Sequence, residues 1–157
     1  MVVEIGWVLA GLALGVFVLR QVLRDRRKVL REETLRQELH DVELVNRELW
    51  DALGPEHYAQ LVYFYQRGRE TQVRADFVFA FWEKAARWYE KGLVSRRRFR
   101  ARLAPKCTGY WQDYADLIRH FAVKEPARIA AWRRLNRDCA RHVERELRRL
   151  ERIKVAA

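Results

Sequence analysis

Three side chains of types that bind metal ions share one predicted helical face near the C-terminus. Cys139, His142 and Glu146 are spaced three and four residues apart, and a helix places residues at that spacing on one side. A structural zinc site needs four ligands, and neither a CxxC nor an HExxH pattern is present to complete one. The simpler interpretation is a buried thiol beside an ordinary His and Glu. We therefore predict no metal site.

Other patterns that carry chemistry are also missing from the sequence. It contains no glycine-rich phosphate loop, no nucleophile elbow and no arrangement of paired carboxylates. Glu83 stands among aromatic residues, where we expect a buried carboxylate paired with an arginine of a neighbouring helix; binding an external partner is the alternative. We predict no catalytic residue, no cofactor and no enzymatic activity.

Helical patterns extend along the whole chain, and no segment alternates with period two for long enough to predict a strand. The predicted fold class is all-α. The expected elements begin with one long helix ending at Gly54-Pro55, a short helix over residues 55–67 and a core helix over residues 72–91. A short helix over residues 95–103 follows, capped by Ser95 and ended by Pro105. The last two are a helix through residues 110–121 and a helix opened by Pro126.

The first part of the long helix has the composition of a membrane anchor. Between Met1 and Leu19 the only charge is Glu4, and at 1.5 Å per residue the run is roughly 28 Å long, close to the hydrocarbon thickness of a bilayer. Six bases follow within residues 20–31 and none precede, which predicts an N-terminus outside and a cytoplasmic C-terminal part. An apolar helix buried in a soluble core is the alternative. We expect a single-pass protein of the bacterial inner (cytoplasmic) membrane.

These patterns divide the chain into three parts. Residues 1–20 are the predicted transmembrane helix, residues 21–53 a juxtamembrane amphipathic helix resembling a coiled coil, and residues 54–157 a small cytosolic helical bundle. Apolar residues with one polar position form a narrow stripe along the second part, which we call the seam: Leu35, Leu39, Val42, Asn46, Leu49 and Leu53. Asn46 is expected to fix the register of a helix pair, either with a second copy or, as we favour, with residues 127–153, where Asn136 is similarly placed.

Small residues within the predicted anchor favour close packing of membrane helices. Gly11 and Gly15 form a GxxxG step, and Gly6 with Ala10 form a second small pair. The alternative is that they carry no such role, because both residue types are common in membrane helices.

Positive charge is concentrated in the C-terminal part of the chain. Residues 95–157 contain eighteen bases and seven acids, so their excess of eleven equals the net charge of the whole protein. A basic surface is predicted at Arg96, Arg97, Arg98, Arg100 and Arg102. Anionic lipid headgroups or an acidic protein are the expected partners, ranked above nucleic acid because Phe99 is the only aromatic residue within the basic run.

The segment from Phe77 to Phe121 resembles an uncharacterised bacterial family of small single-pass membrane proteins with a helical cytosolic domain. The resemblance rests on Phe81-Trp82-Glu83, Gly92-Leu93, Tyr110-Trp111 and Leu117-Ile118. It departs from the family at residues 95–100, SRRRFR, where an acidic short helix is expected. The resemblance implies no catalytic residues.

Two functions are consistent with these expectations. The first is an accessory or scaffold subunit that packs on a larger membrane complex. The alternative is a self-associating membrane-anchored module that binds anionic lipid or, with lower rank, nucleic acid through its basic C-terminal third. In both cases the partners are the lipid bilayer and either other membrane-protein subunits or a second copy of the chain.

Overall fold

The computed structural model describes the backbone of residues 2–156 and the side chains of residues 14–54, 57 and 59–154. Its elements are all helical, and no strand occurs in this described part, which confirms the all-α class. The helices are α1 Val2–Leu53, α2 Leu61–Arg67, α3 Arg69–Glu90, α4 Arg96–Asp113, α5 Ala115–Lys124 and α6 Ala130–Ala156. Short 3₁₀ turns, Pro55–Gln60 and Pro126–Ile129, precede α2 and α6.

Among the residues that the structure describes, no helix is sufficiently long and apolar to span a membrane. Of the predicted span, residues 1–13 lie outside the described side chains. The part that is described, Leu14–Leu19, is exposed along its whole length. The transmembrane segment therefore stays a prediction.

Two glycines with positive φ end helices where the sequence predicted. Gly54, at φ 83°, follows the last residue of α1 and precedes Pro55, which lacks the N–H needed to continue a helix. Gly92, at φ 65°, donates its N–H to the Tyr89 carbonyl, and Leu93 donates to the Trp88 carbonyl. These two bonds form the reversed turn that ends α3 and sends the chain back along the bundle.

The predicted break at Pro105 is wrong, because α4 continues through this residue to Asp113. Proline removes only one N–H donor, and the carbonyl four residues earlier belongs to Ala101, which is exposed and accessible to water. Ala104 and Cys107 hold the flanking turns in the core, and the Thr108 hydroxyl donates to the Ala104 carbonyl at 3.2 Å. Packing on both sides thus outweighs the local cost. The chain breaks instead at Tyr114.

The seam packs within the chain, but its predicted partner is wrong. Leu35, Leu39, Val42 and Leu49 are buried and Leu53 is partly buried, and the principal partner of α1 is α3 rather than the helix over residues 127–153. The Asn46 Oδ1 atom accepts hydrogen bonds from Trp50 Nε1 at 3.1 Å and from the Tyr114 hydroxyl at 2.9 Å. The polar position of the seam therefore connects α1 to the α4–α5 junction, and not to Asn136.

The centre of the core is aromatic and is built around α3, as its sequence predicted. Phe79 contacts the rings of Tyr114, Phe121 and Trp132, with centroid distances of 5.7, 5.2 and 5.1 Å. Trp82 stacks on Trp132 at 5.9 Å. One helix thereby holds α4, α5 and α6 in place, because it supplies the side chains that all three contact.

Ion pairs and hydrogen bonds define the directions of the helices. Glu48 and Glu38 of α1 pair with Arg74 and Lys84 of α3, so these two helices are antiparallel. Glu83 accepts the Trp132 N–H, and further along both helices Tyr89 contacts Asp138. The residue numbers of the contacts rise in the same direction on α3 and α6, so these helices are parallel. We call residues 20–31 of α1 the stem. The C-terminus of α3, the N-terminus of α4 and the C-terminus of α6 all lie at the end of the bundle where the stem leaves it, which we call the stem end.

Candidate functional site at the stem end of the bundle

The stem end brings together two basic clusters that are far apart in the sequence. One concave surface is lined by Arg20, Leu23, Arg24, Arg27, Lys28, Arg31, Lys91, Gly92 and Leu93. The adjoining surface is lined by Asp25, Lys28, Glu90, Lys91, Gly92, Val94, Ser95, Arg96 and Arg98. Lys28, Lys91 and Gly92 belong to both, so the stem and the start of α4 meet across the turn at Gly92. We call the bases of this surface that make no ion pair with a described residue the basic end: Arg20, Arg24, Arg27, Lys28, Arg31, Lys91 and Arg96.

Few acids neutralise the basic end. Within the described part of the chain, no acid makes an ion pair with Arg24, Lys28 or Lys91, or with the other stem bases. Glu32 is already engaged, because it pairs with Arg98 at 3.2 Å and accepts the Ser95 N–H at 2.8 Å. The surface therefore has a net positive charge available to an anionic partner.

The start of α4 is held in a defined position at this surface. The Ser95 hydroxyl accepts the Arg98 N–H at 3.5 Å, and the Ser95 N–H bond to Glu32 ties the same turn to α1. The guanidinium of Arg96 lies over the Tyr89 ring, 5.4 Å from its centroid. These contacts fix where the bases of α4 stand relative to the stem.

The five arginines of the predicted basic surface do not form one patch. Arg96 and Arg98 lie at the stem end, and Arg97 is exposed. Arg100 is half-buried, where its Nε donates to the Tyr89 hydroxyl at 2.8 Å and to Asp138 at 3.1 Å. Arg102 lines a groove between α1 and α4. Only part of the predicted set is therefore available at the basic end.

This groove has a volume of about 370 Å³. Its floor is apolar and consists of Leu35, Leu39, Phe99 and Leu103. Its rim carries Glu32 and four bases, Arg36, Arg98, Arg102 and Lys106. Three of these bases are already paired with acids, Arg36 with Glu33, Arg98 with Glu32 and Lys106 with Glu43. Among the described residues, Arg102 is therefore the rim base that has no ion pair.

The sequence analysis missed Lys91 and did not predict that the turn at Gly92 brings the two basic clusters together. Lys91 lines both concave surfaces, between the stem and the start of α4. The available signal was Gly92, since a glycine that ends a helix allows the chain to reverse and brings residues 95–100 back beside the preceding helix.

Glu83 is buried as predicted, but its arginine partner is not on a neighbouring helix. Its Oε1 atom accepts the Trp132 N–H at 3.0 Å, in the first turn of α6, and its Oε2 atom is 3.9 Å from Arg87 of α3 itself. Burial raises the pKa of the Glu83 carboxyl, while the Trp132 N–H and nearby arginines act to lower it. This carboxylate caps a helix, and its role is structural.

The residues considered as metal ligands differ in exposure, and of the three only the cysteine lies in the core. Cys107 and Cys139 are buried free thiols, while His142 is half-buried and Glu146 is exposed. A hydrogen bond between the thiols, together with burial, raises the pKa of Cys107 far above its ordinary value. Among the side chains that the structure describes, no group of three His, Cys, Asp or Glu residues could hold a metal ion.

The small residues of the predicted anchor fall mostly outside the described part. Gly6, Ala10 and Gly11 lie among the residues whose side chains are not described. Gly15 is described, and a Cβ atom added there would meet no atom within 4 Å. The position is thus open to a neighbouring helix, and the packing role stays a prediction.

Comparison with protein-family models, with curated proteins and with solved structures finds no match to this chain.

Proposed function

We propose that this protein is a non-enzymatic, membrane-anchored helical module whose basic end rests on an anionic bilayer surface. The observation that carries the proposal is the position of the basic end, directly beside the exposed apolar part of α1. Each lysine or arginine near an anionic surface adds roughly 1 kcal/mol of attraction. Bases from two remote parts of the sequence are collected on this side of the bundle.

The exposed apolar residues of α1 support the proposal that lipid surrounds this part of the helix. Leu14, Val16, Phe17, Val18 and Leu19 follow one another closely and are 51–66% exposed. Successive residues point about 100° apart around a helix, so these side chains cover every face of it. A partner helix would cover one face, whereas lipid covers all of them.

Orientation in the membrane is the first property to test. Since the stem bases follow the apolar run, the bundle is expected in the cytoplasm and the N-terminus outside. A reporter enzyme that is active only outside the inner membrane, fused after Ala157, should stay inactive. The same reporter fused before Met1 serves as the control and should be active. The reverse pattern would overturn the orientation.

Binding of anionic lipid should stabilise the folded protein. We expect the full chain to melt at a higher temperature in nanodiscs of phosphatidylcholine with phosphatidylglycerol than in phosphatidylcholine alone, since a ligand that prefers the folded state stabilises it. A stabilisation of 1 kcal/mol corresponds to roughly 3 °C for a chain of this length. Combining Lys28→Glu, Lys91→Glu and Arg96→Glu should abolish this difference, and so should high salt.

The matched control reverses three exposed bases elsewhere in the bundle: Arg47→Glu, Arg69→Glu and Lys124→Glu. Both variants change the net charge equally, so any general effect of charge appears in both. The control should keep the lipid-dependent rise in melting temperature. A rise that persists in the basic-end variant, or that disappears equally in the control, contradicts the proposed surface.

The groove between α1 and α4 favours a second candidate function, an accessory or scaffold subunit of a larger membrane complex. Its apolar floor and the unpaired Arg102 at its rim suit an amphipathic helix of another subunit that carries an acid. Purification in mild detergent separates the two candidates. Stoichiometric subunits that co-purify would support the accessory role, whereas a homo-oligomer or a single chain would support the independent module.

A further inference from the structure

The last part of α6 extends beyond the bundle. We call residues 144–156 the tail. Val143 is the last residue of α6 that packs against the core, and every residue from 144 to 154 is exposed. Helices of this length are marginal in water when nothing packs against them, so a long uncovered helical segment calls for a surface that covers it.

The tail is strongly amphipathic. Its apolar residues Leu147, Leu150 and Ile153 are 55–56% exposed and continue the face that buries Trp132 and Cys139 further back along the helix. One acid, Glu146, shares this face and lies 4.0 Å from Arg149. The opposite face is basic and carries Arg145, Arg148 and Arg152. A basic amphipathic helix of this kind is typical of segments that lie at a membrane surface.

Charge pairing within the tail is incomplete. Arg148 pairs with Glu144, and Arg149 lies 4.0 Å from Glu146. No acid pairs with Arg145 or Arg152 among the described residues. The tail therefore keeps positive charge that an anionic surface can attract, whereas a second copy of the same tail would present more of the same charge.

The direction of α6 places the tail on the membrane side of the bundle. Because α6 is parallel to α3, it leaves the bundle at the stem end, as the stem itself does. The stem of twelve residues is about 18 Å long and the tail of thirteen residues is about 20 Å long. The tail is therefore long enough to reach the level at which the apolar part of α1 begins.

We propose that the tail is a second lipid contact, whose C-terminal end reaches the anionic bilayer surface with Leu150 and Ile153 nearest the acyl-chain boundary and its arginines among the headgroups. This inference rests on the proposed anchoring of α1. The anchor and the tail together hold the bundle at two points, so the bundle has a fixed face toward the membrane.

The test places an environment-sensitive fluorophore at single cysteines in the full chain. The sites are Leu150→Cys on the apolar face of the tail, Arg148→Cys on its basic face, and Phe17→Cys in the anchor. The native Cys107 and Cys139 are 0% exposed, and the unsubstituted protein gives the labelling background. Each labelled protein is reconstituted in vesicles of phosphatidylcholine and phosphatidylglycerol, with and without nitroxide-labelled lipid.

The fluorophore at position 150 is expected to show a blue shift of its emission and quenching by nitroxide-labelled lipid that are several-fold greater than at position 148. Quenching at position 150 should fall in vesicles without phosphatidylglycerol. Quenching at 17 with none at 150 would reject the tail contact and leave the anchor intact. Absence of quenching at both 17 and 150 would reject the proposed membrane anchoring itself. A blue shift at 150 that nitroxide lipid does not quench and that grows with protein density would identify a second copy as the occupant, against our proposal.

Discussion

The substitution Phe79→Ala is expected to lower the free energy of unfolding by about 4 kcal/mol, within the usual range for removing a buried phenylalanine. Phe79 is 2% exposed and contacts Tyr114, Phe121 and Trp132. Its loss leaves a cavity between α3, the α4–α5 junction at Tyr114, α5 and α6. Urea unfolding of the full chain in mild detergent, followed by circular dichroism, measures the change.

Phe77→Ala is the matched control, because it removes the same side chain two residues earlier on the same helix. Phe77 is 45% exposed, and substitutions at such positions usually change stability by less than about 1 kcal/mol. Similar losses for the two variants would mean that the core is not centred on Phe79.

The substitution Glu83→Ala is expected to have the second-largest effect, a loss of about 3 kcal/mol. It removes the acceptor of the buried Trp132 N–H and leaves a small cavity. Glu83→Gln keeps an oxygen in place of Oε1 and nearly the same volume, so its cost should be within about 1 kcal/mol. Equal losses for Ala and Gln would show that the charge, and not the hydrogen bond, stabilises this position.

The pH dependence of the free energy of unfolding follows from the raised pKa of the Glu83 carboxyl. Between the pKa of the unfolded chain, about 4.3, and the higher native pKa, the folded protein binds more protons than the unfolded chain. The free energy of unfolding therefore falls as pH rises through this window, and it is regained on acidification. The Gln variant lacks this titration. The stability of the wild type relative to Glu83→Gln should accordingly increase as pH falls, and a difference that is constant with pH would contradict the raised pKa.

Much of the helical pattern could be predicted because its ends are set by local chemistry. Gly54, Gly92 and Ser95 stop or start helices through φ angles and caps that depend on a few neighbouring residues. Pro105 misled the prediction, because its local cost is offset by the burial of Ala104 and Cys107 against other helices. Tertiary packing of that kind is not encoded in the spacing of one segment.

The partner of the seam shows a different limit. The stripe from Leu35 to Leu53 identified correctly which face of α1 is buried, but several helices of the chain have apolar faces that could cover it. The choice of α3 depends on the length and direction of the turns between helices. The match of Asn46 with Asn136 failed for the same reason, since two polar positions in two stripes do not establish a contact.

The candidate site was predictable in its parts and not in its assembly. Composition identified the stem bases and the arginines from Arg96 onward as separate clusters. Their union depends on the reversed turn at Gly92 and on the bond from Ser95 to Glu32, which are properties of the folded chain. The tail was visible in the sequence only as an apolar face of the last helix, because its exposure depends on where the bundle ends.

The uninterrupted course of α1 has a mechanical consequence. A helix of 52 residues is about 78 Å long, and it forms the stem and one wall of the core without a hinge between them. A rotation or tilt of its N-terminal part is therefore transmitted directly to the bundle. The rotation of the bundle about the axis of α1 then depends on the number of residues in the stem. One residue added within the stem would turn the bundle by about 100° about that axis.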